Sequence, residues 1–132
     1  MIGTRLVTWA WVVNRIREER PVPPSRRWPG PGYVSWIGID GYLRARAPTF
    51  MTVFGPTLTQ FTAFARQLVL ITETAVPPGP RQAARITRLF AAAHAAGLAG
   101  LIWFDANARQ RWRIDGDPSA LAAYRRAARS RK

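Results

Sequence analysis

Carboxylates are scarce in this chain, with 7 acidic against 20 basic residues, so where they fall matters more than how many there are. Three of them, Asp40, Glu73 and Asp105, close apolar runs rich in Val, Ile, Leu and Trp: "YVSWIGIDGY", "QLVLITET" and "AGLIWFDAN". A fourth run, "RLVTWAWVVN", ends on Asn14. In parallel α/β folds the working groups gather at the carboxyl ends of strands. A carboxylate held there can attack an anomeric carbon, act as a general base, or simply accept hydrogen bonds from buried donors. Glu73 follows "LVLIT" directly and is the best placed of the three. The remaining acids, Glu18, Glu19, Asp115 and Asp117, fall in loops or at a helix start, where solvated charge or capping accounts for them.

Aromatic side chains accompany these carboxylates. Trp9, Trp11, Trp36 and Trp103 lie in or at the ends of the runs. Strand alternation puts Trp9 and Trp11 on one side, and puts Trp103 with Asp105 on the side expected to face a barrel mouth. Aromatic faces beside carboxylates suit sugar rings, although each tryptophan serves equally well as core volume. Other chemistries find no support. There is no cysteine, no Ser-His-Asp set, no HExxH helix, no phosphate-binding glycine loop and no metal-ligand spacing. No cofactor or metal is expected, and the single histidine, His94, reads as structural within an alanine-rich helix.

The elements that must position these residues alternate. Residues 80 to 96 place Ile86, Leu89, Phe90 and Ala93 on one helical face between Gly79-Pro80 and Gly97. A second helix is expected over about 56 to 66, with Pro56 in its first turn and Leu58, Phe61 and Phe64 or Ala65 inward. A third follows the Asp117-Pro118 cap and turns Leu121 and Tyr124 inward. "REERPVPPSRRWPGPG" holds too much proline for more than one turn. The run ends fall 26, 33 and 32 residues apart, close to the repeat of a (β/α)8 barrel, whose eight units occupy about 250 residues. The expected fold class is therefore α/β, a partial (β/α)8 TIM barrel of about four β/α units. A doubly wound sheet ranks second, since none of the four turns carries a glycine-rich phosphate loop.

One domain over residues 1–132 is expected, with residues 125–132 as an unstructured basic tail. The formal charge of +13 raises nucleic acid as a partner, but nearly all of it is arginine scattered along the chain, so that partner is disfavoured. No run of about 18 apolar residues exists and no membrane partner is expected. The N-terminus lacks the order of a signal peptide, and localisation stays open. Because the chain opens directly on a strand, a start upstream of Met1 stays open too.

Taken in order, "YVSWIGIDGY", "ITET", "LIWFDAN" and "WRIDGDPSALAAYR" resemble the C-terminal part of glycoside hydrolase family 26 nearly end to end. That resemblance implies a retaining (β/α)8 enzyme acting on β-mannan or β-glucan, with the four runs as strands five to eight. It implies that Glu73 is the nucleophile, that Tyr42 hydrogen-bonds it, and that Trp103 lines the subsite where the bond is cut. Asp40, Asp105 and Asn107 join them as candidates for substrate contact. The family's acid/base glutamate belongs to the fourth strand, before the first run of this chain, and Gly32 stands where relatives often carry an acidic residue. A retaining glycosidase needs two carboxyls about 5 to 5.5 Å apart. Three readings follow: the nucleophile half of a retaining β-glycanase completed by a complementary half barrel, an inactive half barrel that binds sugar or dimerises, and a basic nucleic-acid binder.

Overall fold

The computed structural model describes residues 7–17, 22–44, 49–108 and 110–130. Glu18 and Glu19 lie outside them. Four strands, β1 (Ala10–Asn14), β2 (Trp36–Asp40), β3 (Leu68–Thr74) and β4 (Gly100–Trp103), alternate with α1 (Phe50–Phe61), α2 (Gln82–Ala95) and α3 (Pro118–Arg129). The proline-rich first crossover holds one 3-10 turn, Pro24–Arg27.

All strand pairs are parallel and the sheet order is β1-β2-β3-β4. A doubly wound sheet reverses its strand order; this one does not, and right-handed crossovers in unbroken order place every helix on one face. The chain is four consecutive β/α units of a barrel. Ile37, Ile39 and Ile71 are fully buried beneath Val53 and Phe54 of α1 and Ile86 and Leu89 of α2. On the other face Val12, Leu68 and Ile102 are 43%, 57% and 52% exposed.

Two helices form largely where the sequence places them. Gly97 ends α2 in the left-handed region (φ +70°), where a side chain would be strained. Asp117 Oδ1 caps α3 by accepting from Ser119 N (2.9 Å) and Ala120 N (3.0 Å). That helix buries Ala120 and Ala123 fully, Leu121 and Tyr124 in part, and continues to Arg129, so residues 125–129 of the expected tail are helical.

The helix expected over 56 to 66 is displaced. It spans Phe50–Phe61, and Pro56 sits in its interior on the exposed side. The start is set at Thr49, whose hydroxyl accepts from Thr52 N while Thr52 Oγ1 accepts from Thr49 N. This reciprocal cap uses threonine where glutamate or glutamine is usual. Phe50, Val53, Phe54, Thr57 and Phe61 then all face the sheet, and their burial outweighs the hydrogen bond lost at proline.

Candidate active site

The strand tips are aligned by register: Asn14 lies beside Asp40, and Asp40 beside Glu73. Backbone bonds fix them, from Arg15 N to Asp40 O (2.9 Å), Gly41 N to Glu73 O (2.9 Å) and Phe104 N to Thr74 O (2.8 Å).

Glu73 reaches this row through an irregularity in β3. Ile39 pairs with Ile71 but Asp40 pairs with Glu73, and against β4 Ile71 pairs with Leu101 but Thr74 with Trp103. Both neighbours thus count one extra residue in β3, between Ile71 and Glu73 against β2 and between Ile71 and Thr74 against β4, a β-bulge. Simple alternation from the buried Ile71 would turn Glu73 toward the helices and Thr74 away from them. The extra residue reverses both: Thr74 is fully buried and Glu73 faces the strand-tip surface.

The Tyr42 hydroxyl donates to Glu73 Oε1. Asp40 accepts from Thr72 Oγ1 at 2.7 Å through Oδ1. Partial burial, and then the charge on Asp40, push the Glu73 carboxyl above its ordinary value. The inner face is crowded beneath them, since a Cβ on Gly38 would meet Thr72 Cγ2 at 2.6 Å and Val12 Cγ2 at 2.8 Å. Only glycine leaves room for Thr72 to stand against Asp40.

Trp103 does not face this site. It is 9% exposed, packs edge-on against Tyr124 of α3 at 5.7 Å, and donates from Nε1 to Trp112 O (3.1 Å). Its pairing with buried Thr74 assigns it to the helix side, which corrects the expectation that it faces the barrel mouth. Asp105 is likewise engaged in its own loop, where Oδ1 accepts from Ile114 N at 2.9 Å. Asn107 forms an antiparallel bridge with Arg111 in that loop. The structure brings together Tyr42, Asp40 and Glu73, and places Trp103, Asp105 and Asn107 in the scaffold of the β4–α3 loop.

That scaffold backs Tyr42 with a buried ring which sequence reasoning missed. Trp112, held through its carbonyl by Trp103 and through its amide by Ala106 O (3.2 Å), lays its ring on Tyr42 at 4.7 Å. Phe104 meets Tyr42 edge-on at 5.8 Å. The Arg44 guanidinium lies 5.8 Å from the Tyr42 ring centre and 5.4 Å from that of Trp112. Phe104 was available from sequence, being next to Trp103 and of opposite parity, but Trp112 depends on a loop closed by tertiary contacts. Among the first-strand tryptophans, Trp11 packs with Trp28, Phe61 and Phe64 at centroid distances of 5.1 to 6.4 Å, so it is core.

Among the described residues no group of three or more His, Cys, Asp or Glu could hold a metal ion, and no helix is long and apolar enough to cross a membrane.

The partial (β/α)8 barrel thus presents a tyrosine-bonded carboxylate at a strand tip. No protein-family model matches the chain. It is 25% identical over 134 aligned residues to Endoglucanase H of Acetivibrio thermocellus, an alignment that covers 95% of this chain and 15% of that protein. Its fold resembles that of an endo-β-1,4-glucanase from Xanthomonas axonopodis pv. citri, solved as a triple variant, with a TM-score of 0.52 and 16% identity over 76% of this chain and 38% of that one. The chain is thus weakly similar in sequence to one endoglucanase and shares the fold of another, and it spans 15% and 38% of their lengths.

Proposed function

We propose that the chain carries the nucleophile half of a retaining endo-β-glycanase of the family 26 type, acting on β-1,4-linked glucan. The observation that carries this reading is the Tyr42–Glu73 hydrogen bond at the strand tips, where the β3 bulge aims the carboxylate out of the helix layer. Glu73 attacks the anomeric carbon, the glycosidic C–O bond breaks, and the leaving oxygen takes a proton from a second carboxyl. Among the described residues the carboxylate whose charge acts on Glu73 is Asp40, and Thr72 engages it as an acceptor. The acid therefore comes from a complementary four-stranded half barrel. The names of the relatives favour glucan over mannan as the substrate.

The uncovered inner face supports that completion. Parallel sheets are covered on both faces. Here Val12, Leu68 and Ile102 are open to solvent, and β1 and β4 have no partner on their outer edges among the described residues. The same observation favours a second reading, a half barrel that closes on a second copy of itself and only binds sugar. The test is to mix the chain with the first-half strands of a related endoglucanase and assay carboxymethylcellulose and mannan. Glucanase activity that disappears in Glu73→Gln is expected; activity that survives this substitution contradicts the nucleophile role, and a self-dimer without activity selects the second reading.

A further inference from the structure

Beside the Glu73 site the described residues form a second concavity of about 460 Å³ between the segment after β2 and the loop from β3 to α2. Four arginines line it: Arg44 from the β2 side, and Arg81, Arg85 and Arg88 from α2 and the residue that caps it. The last three recur at spacings of four and three, which brings their side chains to one helix face. No acidic side chain lines the concavity among the described residues, and the first turn of α2 contains none. Arg81, at the cap position, makes no side-chain capping bond, so the partial positive charge of a 14-residue helix adds to the same field.

Like charges converge on one place only at a cost, and Arg85 shows it. Its Nη2 is buried and has no hydrogen-bond partner, whereas buried polar atoms are almost always paired. Burial, and then the charge of Arg81, push this guanidinium below its ordinary value. An oxyanion seated in the concavity would neutralise the cluster, and arginine's planar fork matches a carboxylate or phosphate group in two-point geometry. The volume suits one small ligand group and not a wrapped polyanion.

Arg44 belongs to both sites, since it lines this concavity and also lies over Tyr42 and Trp112. A sugar against the half-buried Tyr42 ring would carry its substituents toward the arginines.

We propose that this concavity is an anion-binding subsite which receives a compact oxyanion carried by a sugar, a uronic-acid carboxylate on the bound glycan. The choice of a sugar as carrier rests on the proposed function above; the oxyanion site does not. The test is calorimetric titration of Glu73→Gln, which removes turnover, with cellobiouronic acid, cellobiose, inorganic phosphate and a short single-stranded DNA at fixed ionic strength. Cellobiouronic acid is expected to bind about tenfold or more tighter than cellobiose, as the loss of one charged hydrogen bond would imply. Adding Arg85→Gln or Arg81→Gln removes that preference, while Arg126→Gln on α3, an equal change of charge elsewhere, preserves it. Arg88→Gln, at an exposed position, serves as a second variant should the half-buried Arg85 site disturb folding.

Equal affinity for the acidic and neutral disaccharides, or an equal loss in Arg126→Gln, overturns the subsite. Arg85-dependent binding of phosphate alone, with no preference for the acidic sugar, overturns the sugar-borne ligand. DNA binding weakened equally by every arginine substitution assigns the charge to a diffuse basic surface and overturns the subsite as well. Failure of Glu73 to act as a nucleophile leaves the subsite standing, because none of these titrations requires turnover.

Discussion

The two faces of the sheet differ in what they do with neighbouring residues of the same strands. On the helix face Ile37, Ile39 and Ile71 are fully buried and the layer above them is continuous from Phe50 to Leu89. On the inner face Val12, Leu68 and Ile102 meet solvent, and at its upper end stand Asp40, Thr72 and Glu73. Burial holds the first face together; the second carries the polar strand tips and exposed apolar side chains. One extra residue in β3 decides which face receives Glu73.

The helix face is where this comparison breaks most severely. Phe54→Ala in the buried layer should cost about 3–5 kcal/mol by denaturant titration. Gly38→Val is expected to cost roughly 1–3 kcal/mol, because its Cβ would overlap Thr72 and Val12, and to displace Thr72 from Asp40.

A smaller effect, of opposite sign, is expected at Glu73. Its carboxyl binds a proton more tightly in the fold than in the unfolded chain, so the contribution of Glu73 is most favourable below the unfolded value, about 4.3. That contribution is lost as pH rises through the folded value. Glu73→Gln should therefore melt higher than the parent at neutral pH, and the two should converge in acid; a gain that persists in acid would assign it to another cause. The smallest effect belongs to Val12→Ser on the inner face, about 0.5 kcal/mol or less in the chain alone. The same substitution should weaken assembly with a complementary half barrel by far more, which light scattering of the mixture would read.

The four strands, the end of α2 and the start of α3 were legible in the sequence because each rests on local signals: unbroken apolar runs, Gly97, and the Asp117-Pro118 cap. The start of α1 was not, since Pro56 is the stronger local signal and the Thr49–Thr52 cap departs from the usual residue pair. In the site, Asp40 and Glu73 could be found because carboxylates at strand ends are conspicuous. Trp103 was assigned to the wrong side because alternation says which residues of a strand share a side, not which side is covered by helices. Trp112 was overlooked because the closure of the β4–α3 loop by Asp105 and Trp103 is set by tertiary contacts.

The central claim is that Glu73 is a nucleophile, and it can be isolated from the question of the acid. A glycoside with 2,4-dinitrophenolate as its leaving group departs without protonation, and fluorine at C2 slows hydrolysis of the glycosyl-enzyme. Incubating the chain, alone and with the complementary half barrel, with 2,4-dinitrophenyl 2-deoxy-2-fluoro-β-cellobioside and mapping the product by peptide mass spectrometry reads the attacking residue directly. The account predicts one fluorocellobiosyl group on Glu73, with its uptake slowed in Tyr42→Phe and absent in Glu73→Gln. A label on Asp40 or Asp105, or none under either condition, would contradict it.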